Sequence, residues 1–493
     1  LGTGADDYER MVLNLHSFHL LQTVSKHTID LDVGVPARGW HGEAYRGHIF
    51  WDELFIFPYL NLHLPDLTRA LLLYRYRRLP EARWAASREG LAGALYPWQS
   101  GSSGREESQL VHLNPASGRW IRDNSPLQRH INIAVAFNVW QYYQTTGDMA
   151  FLSYGGAEMM VEIARLLVSL SSYNKASDRY EIRGVMGPDE YHDAYPDAAE
   201  PGLDNNAYTN VMAAWVMWRA QEALSILPDF RRQELAEKLH IELEELSRWE
   251  AISSKMYVPF HADGIISQFE GYGDLEEFDW SGYAAKYGDI QRLDRILEAE
   301  GDTPNRYKLC KQADVLMLFY LLSSEELHSM FHRLGYELEE GAIQRNIDYY
   351  DQRTSHGSTL SRIVNAWVLA RSDRKRSWEF FQGALLSDVA DIQGGTTPEG
   401  IHLGAMAGTI DLIQRAFTGI ETREDTLWLD PAIPDELREL EFEIWYRGHL
   451  LEFRITPQRL TVSTRPDGGQ PIRLGIRGRI IEVQAGTTEI VDL

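Results

Sequence analysis

The stretch DNNAYTNVMAAWVMWRAQEALSI (residues 204–226) reads as one helix with its start signal attached. Val211, Ala214, Trp215 and Trp218 recur at helical spacing on one face, and Asp204-Asn205-Asn206 just upstream supplies capping oxygens. The same i, i+3, i+4, i+7 pattern returns at 129–146, 157–172, 231–250, 310–321, 357–371 and 402–417. Roughly a dozen such helices fill the chain to about residue 417. Alternating helices in that number can close into an (α/α)6 barrel, with the loops of one end gathered over a funnel. After about residue 425 the period changes to two. The segments 439–446, 449–455, 459–464, 471–476 and 478–484 alternate apolar and polar residues between Arg447-Gly448, Pro466-Asp467-Gly468-Gly469 and Arg477-Gly478. The expectation is a mainly α chain: a helical barrel over 1–425, with a short N-terminal linker, then a small antiparallel β domain over 426–493.

Composition excludes several roles. With 44% hydrophobic and 11% aromatic residues among 493, the chain can bury a large core, so intrinsic disorder is excluded. No apolar run approaches the ~18 residues that a membrane-spanning helix needs. Asp and Glu outnumber Lys and Arg by 72 to 48, a net charge of −24 that repels nucleic acid and anionic lipid. A small anion can bind only where a local pocket defeats that field. Cys310 is the one cysteine, so no intrachain disulfide and no cysteine-built zinc site can form, which fits a reducing cytoplasm. No histidine pair stands at metal-ligand helical spacing beside a carboxylate, so no metal is expected. The glycine-rich loops do not follow strands and do not match the nucleotide pattern, so no organic cofactor is expected either.

Four clusters carry the chemistry. Gly187-Pro188-Asp189-Glu190-Tyr191-His192-Asp193 packs acidic residues into an irregular turn. They cannot share one environment, and a carboxyl held protonated by partial burial can serve as a general acid. His48-Ile49-Phe50-Trp51-Asp52-Glu53 puts an indole beside a carboxylate, which suits stacking on a sugar and accepting from its hydroxyls. Trp40, Trp51, Trp98 and Trp120 fall in loops, where they read as stacking surfaces. Arg353-Thr354-Ser355-His356-Gly357-Ser358-Thr359-Leu360-Ser361 runs into a helix start and offers hydroxyls, an imidazole and free N–H groups to an anion. Lys311-Gln312 could approach from another helix start. Gly394-Gly395-Thr396-Thr397-Pro398-Glu399-Gly400-Ile401-His402 is a second glycine-rich lead-in to a helix.

Taken in order, residues 47–52, 187–192, 204–210, 311–315, 354–361 and 397–402 resemble glycoside hydrolase family 65, which includes inverting disaccharide phosphorylases acting on maltose, trehalose, kojibiose and nigerose. The resemblance spans residues 5 to about 435 and implies an (α/α)6 barrel followed by a small β-sheet domain. It also implies a large N-terminal β-sandwich that these residues do not contain, hence an expectation that the chain is part of a longer one. By resemblance Glu190 is the general acid, and Trp51, Asp52, Lys311 and Gln312 hold the donor glucose. Ser355, His356, Gly357, Ser358 and Thr359 bind inorganic phosphate, the co-substrate. The implied reaction is inverting phosphorolysis of an α-glucoside to β-glucose 1-phosphate and a free acceptor, by a cytoplasmic enzyme that could dimerise.

Phosphate brings its own nucleophilic oxygen, whereas an inverting hydrolase needs a second carboxylate ~6.5–9.5 Å from the acid. The 354–361 loop contains no carboxylate, which favours phosphorolysis. Two other readings use the same residues: an inverting α-glucoside hydrolase with Glu399 or Asp189 as base, and a non-catalytic glycan-binding subunit. The sequence departs from the family's acidic, Trp-containing acceptor stretch at 123–132 and at Gly101–Gln109. Glu106, Gln128 and Arg129 are therefore the expected acceptor contacts, and the acceptor sugar is left open.

Overall fold

The computed structural model describes residues 2–3, 7–393, 395–466 and 469–493. The chain is mainly α, 48% helical, with a small C-terminal sheet domain, as the change of period after residue 425 implies. By internal packing it divides into two compact units. One comprises residues 1–75, 137–152 and 365–493, and the other 76–136 and 153–364. No helix among the described residues is long and apolar enough to cross a membrane.

In the 76–136/153–364 unit the organising element is the helix Ala207–Ile226. It is apolar nearly all round, and a helix of that kind must be wrapped on every side. Helices Ala157–Leu170, Leu243–Lys255 and Asp314–Leu321 pack around it. Trp215 is fully buried and donates its indole N–H to Glu326 at 2.9 Å, satisfying the one polar atom it brings inside. Asn206 caps the helix by accepting from the Thr209 N–H at 2.9 Å. The segment 231–250 departs from expectation. His240 takes a left-handed φ of +52° and splits it into Asp229–Leu239 and Leu243–Lys255. Short two-stranded ribbons, Val111–Asn114 with Arg119–Arg122 and Ser171–Asn174 with Arg179–Ile182, also lie where the sequence reading placed loop or helix.

In the other unit, helix Leu403–Asp411 packs on Glu53–His63 and on Asp7–Thr23, and Glu53–His63 also meets strand Leu440–Tyr446. A buried ion pair locks the start of Glu53–His63: Arg75 lies 2.9 Å from Glu53 and also donates to the Phe50 carbonyl at 3.2 Å. Burial pushes the Glu53 carboxyl up, and Arg75 opposes that shift. The β domain forms two sheets rather than one. Leu440–Tyr446, His449–Thr456, Arg459–Thr464 and Thr488–Asp492 make an antiparallel sheet, joined at its edge by Gly2–Thr3 from the chain's start. Along Leu440–Tyr446 burial alternates strictly, the signature of one covered face. The second sheet contains a parallel pair, Thr426–Leu429 with Ile472–Ile476, which corrects the purely antiparallel expectation. A parallel partner needs a long connection, and here the first sheet's strands supply it.

Candidate active site

The loop 187–192 is held from beneath by a buried carboxyl network. Asp314, at the start of helix Asp314–Leu321, accepts the Asp189 N–H at 2.6 Å and the Asn206 side-chain amide at 2.5 Å. Its own N–H donates to the Gln268 side chain at 2.7 Å. Burial, and next the charge of Asp189, push the Asp314 carboxyl well above the usual carboxylate range. Gly187 is dictated by this packing, because a methyl there would sit 2.1 Å from Asp314 Oδ2 and 2.4 Å from Asn206 Nδ2.

Asp189 is committed on both oxygens. One accepts the Lys311 backbone N–H at 2.6 Å, and the other meets His192 Nδ1 at 2.8 Å. The His192 Nε2 donates onward to the Tyr307 carbonyl at 3.0 Å. The next residue behaves differently. Glu190 adopts a left-handed φ of +66°, a conformation that costs a non-glycine residue about 1–3 kcal/mol and clusters at functional sites. Its side chain stays 31% exposed and pairs with Lys311 Nζ at 2.5 Å. So the rigid, buried neighbour aims the strained, accessible one. Gln312 donates to the Pro188 carbonyl at 2.8 Å, while its buried Oε1 accepts from no described residue.

The 354–361 loop lies in the same unit. Ser355 is anchored by its N–H to the Cys310 carbonyl at 2.8 Å, and its hydroxyl lies 3.0 Å from that of Tyr191, which also donates to the Gln291 carbonyl. The acid loop and the hydroxyl-rich loop therefore touch through Tyr191 and Ser355. Gly357 is sterically required, since a methyl there would meet the Gln291 carbonyl at 2.2 Å. His356 has φ +54°, and its Nδ1 lies 2.9 Å from the Ser361 hydroxyl. Burial and then the charge of Arg362 bring the imidazole down to about 4, so it is neutral at pH 7. Ser358 and Thr359 stand at the start of helix Thr359–Leu369.

In the other unit, Asp52 accepts from His402 Nε2 at 2.7 Å, and the His402 N–H donates to Asp388 at 2.8 Å. Trp51 is 3% exposed and meets Phe55 edge-on. Trp98 is buried too, whereas Trp40 and Trp120 are 64% and 68% exposed, so the loop tryptophans divide evenly between packing and surface. Glu399 is exposed on the short turn Thr397–Glu399, and Gly394 of the same motif lies outside the described residues.

The acceptor candidates separate by what they already hold. The Glu106 carboxylate accepts from the N–H groups of Trp98, Gln99 and Ser108 and from the Ser108 hydroxyl, so it braces its own loop. Arg129 pairs with Glu89 at 2.5 Å. Gln128 is buried with its side-chain carbonyl unpartnered among the described residues, so it keeps an acceptor to spare. The sequence reading missed Asp314, Asn206 and Gln268 as supports of the acid loop. Asp314 stood inside the 311–315 motif and Asn206 read only as a cap, whereas Gln268 carries no local signal. Among the described residues no group of His, Cys, Asp and Glu could hold a metal ion.

The profile of the glycosyl hydrolase family 65 central catalytic domain matches residues 14–411, and that of the family's C-terminal domain matches 420–483. An uncharacterized glycosyl hydrolase of Mycobacterium tuberculosis is 55% identical over 99% of this chain and 36% of its own length. A trehalose 6-phosphate phosphorylase of Lactococcus lactis is 41% identical over 94% of this chain and 58% of its own. A kojibiose phosphorylase of Caldanaerobacter subterraneus is 34% identical over 96% and 59%. A solved structure of a candidate kojibiose phosphorylase from the human microbiome shares the fold, with a TM-score of 0.82 at 23% identity, over 100% of this chain and 66% of that one. The chain thus spans between about a third and two thirds of the length of these relatives.

Proposed function

The chain belongs to glycosyl hydrolase family 65, and from that premise we propose that it performs inverting phosphorolysis of an α-glucosidic disaccharide, with Glu190 as general acid. Glu190 gives its proton to the interglycosidic oxygen as the bond to the anomeric carbon breaks. A phosphate oxygen forms the new bond from the opposite face, and the products are β-glucose 1-phosphate and the free acceptor sugar. The family resemblance assigns the donor glucose to Trp51 and Asp52 and to Lys311 and Gln312, and the phosphate to Ser355, His356, Gly357, Ser358 and Thr359.

One observation carries this reading over hydrolysis. Asp189, the carboxylate next to the acid, has both oxygens occupied by Lys311 N–H and His192, so it is not free to activate water. The loop that meets the acid loop offers hydroxyls and a neutral imidazole instead. These donors suit an oxyanion that arrives as the nucleophile. The Lys311–Glu190 pair also sets an order of events. Lys311 Nζ occupies the Glu190 carboxyl at 2.5 Å, so that contact has to open before Glu190 can reach the interglycosidic oxygen.

The names of the relatives frame two substrate classes, a disaccharide phosphate and a neutral disaccharide. Reverse synthesis tests the proposal: β-glucose 1-phosphate with a panel of acceptors that includes glucose and glucose 6-phosphate, scored by phosphate release. Release that depends on acceptor supports it. No release with any sugar, alongside phosphate-independent cleavage of α-glucosides, overturns it.

A further inference from the structure

Among the described residues, Tyr45 and Arg46 are the one pair of adjacent non-glycine residues that both take a left-handed φ, +56° and +54°, and Gly47 follows at +72°. Left-handed backbone is ordinarily visited by single Gly, Asn or Asp residues, and a bulky aromatic residue there is an outlier. Such conformations persist only where the surroundings over-determine them, and they gather at functional sites. The turn closes through the His48 N–H, which donates to the Tyr45 carbonyl at 2.9 Å, and the Arg46 N–H, which donates to that of Glu43 at 3.0 Å. A turn that served only to reverse the chain would be easier to build with glycine at 45 and 46, as it is at 47. The side chain of Tyr45 is therefore wanted where it stands.

The contacts that hold Tyr45 form a closed circuit through Asp52. On one side its ring meets the buried Phe50 edge-on, with centroids 4.8 Å apart, two positions before Asp52 in the chain. On the other, the buried Arg38 guanidinium lies 5.8 Å from the Tyr45 centroid and donates to the Gly400 carbonyl at 2.8 Å. Two positions on from Gly400, His402 Nε2 meets Asp52 Oδ1 at 2.7 Å. Asp52 is 6% exposed, and its other oxygen accepts from no described residue. A buried carboxylate with one oxygen held and one open is aimed by whatever holds it. We propose that Tyr45 is a positioning residue: its strained backbone sets the ring between Phe50 and Arg38, and that circuit fixes the Asp52 carboxylate for the donor glucose. This rests on the phosphorylase reading, from which Asp52 takes its role.

The test is calorimetric binding of β-glucose 1-phosphate to the 493-residue chain, which needs no turnover, with melting temperature read beside it. Wild type is compared with Tyr45→Phe, Tyr45→Gly and, as a benchmark, Asp52→Asn. Tyr45→Gly deletes the ring but relieves the strain, so its melting temperature should stay close to that of wild type. Its affinity should fall about ten-fold or more, the worth of one hydrogen bond to a charged group, as should that of Asp52→Asn. Tyr45→Phe keeps the ring and should bind within about two-fold of wild type. A merely structural tyrosine would give the reverse for Tyr45→Gly, a lower melting temperature with affinity within about two-fold of wild type, and that overturns the proposal. So does Tyr45→Phe as weak as Tyr45→Gly, Asp52→Asn as tight as wild type, or a wild-type chain that does not bind the probe. If binding follows the expected pattern but reverse synthesis releases no phosphate, the phosphorylase reading fails and the role of Tyr45 stands.

Discussion

Replacing Gly187 with alanine perturbs the acid loop without touching any reacting group. The added methyl would lie 2.1 Å from Asp314 Oδ2 and 2.4 Å from Asn206 Nδ2, and neither atom can retreat freely. Asp314 is held by the Asp189 N–H and by Gln268, and Asn206 caps helix Ala207–Ile226. Overpacking at a rigid site costs about 1–3 kcal/mol. If Asp314 swings away instead, its two hydrogen bonds are lost at about 0.5–1.5 kcal/mol each, a penalty of the same size. At about 2–4 °C per kcal/mol, the melting temperature should fall by roughly 2–12 °C. The catalytic effect should be larger in proportion, because Glu190 is the third residue on from the substitution and a shift of ~1 Å in a reacting group costs about 10²-fold. The assay is reverse synthesis, with Gly469→Ala as control, since a methyl at Gly469 meets nothing within 4 Å. Gly187→Ala with control-like turnover and melting temperature would show that the carboxyl network does not position the acid.

Glu190→Gln should remove at least about 10²-fold of turnover, the usual contribution of a general acid, yet shift stability by under about 1 kcal/mol because its pair with Lys311 is partly exposed. A purified Glu190→Gln protein with intact turnover would remove Glu190 from the mechanism. Stability should fall in mild acid. His16 and His130 are buried and held down to about 3, below their unfolded value of about 6.5. A depressed histidine contributes stability above the unfolded value and loses it as pH falls towards the folded one. Between pH 6.5 and 5 each should therefore withdraw about 2 kcal/mol, read by denaturant titration at both pH values, and His130→Asn should flatten the slope. Removing one partner of the buried Glu53–Arg75 pair, as in Glu53→Gln, should cost about 3–5 kcal/mol; a loss below 1 kcal/mol in thermal unfolding would show that the pair is not what locks the start of helix Glu53–His63.

Much of the fold was legible because its signals are local. The capping asparagine and apolar spacing of Ala207–Ile226, and the strict alternation of Leu440–Tyr446, are read from neighbours in the chain. The break at His240 was not, because a left-handed residue inside an amphipathic run leaves the apolar spacing intact. The parallel pairing of Thr426–Leu429 with Ile472–Ile476 joins segments more than forty residues apart, and nothing in either strand specifies it. The candidate site divides in the same way. Motifs picked out Glu190, Lys311 and the 354–361 loop. What distinguishes Glu190 from Asp189 is three-dimensional: which carboxylate is spent on Lys311 and His192, and which is left accessible.

The central claim is that phosphate, rather than an activated water, attacks the anomeric carbon. Proton and phosphorus NMR of the forward reaction tests it most directly, with trehalose 6-phosphate and with kojibiose, in phosphate and in phosphate-free buffer. Glucose 1-phosphate of β configuration should appear with at least one of them in phosphate only. Free β-glucose released at the same rate in both buffers would contradict the account.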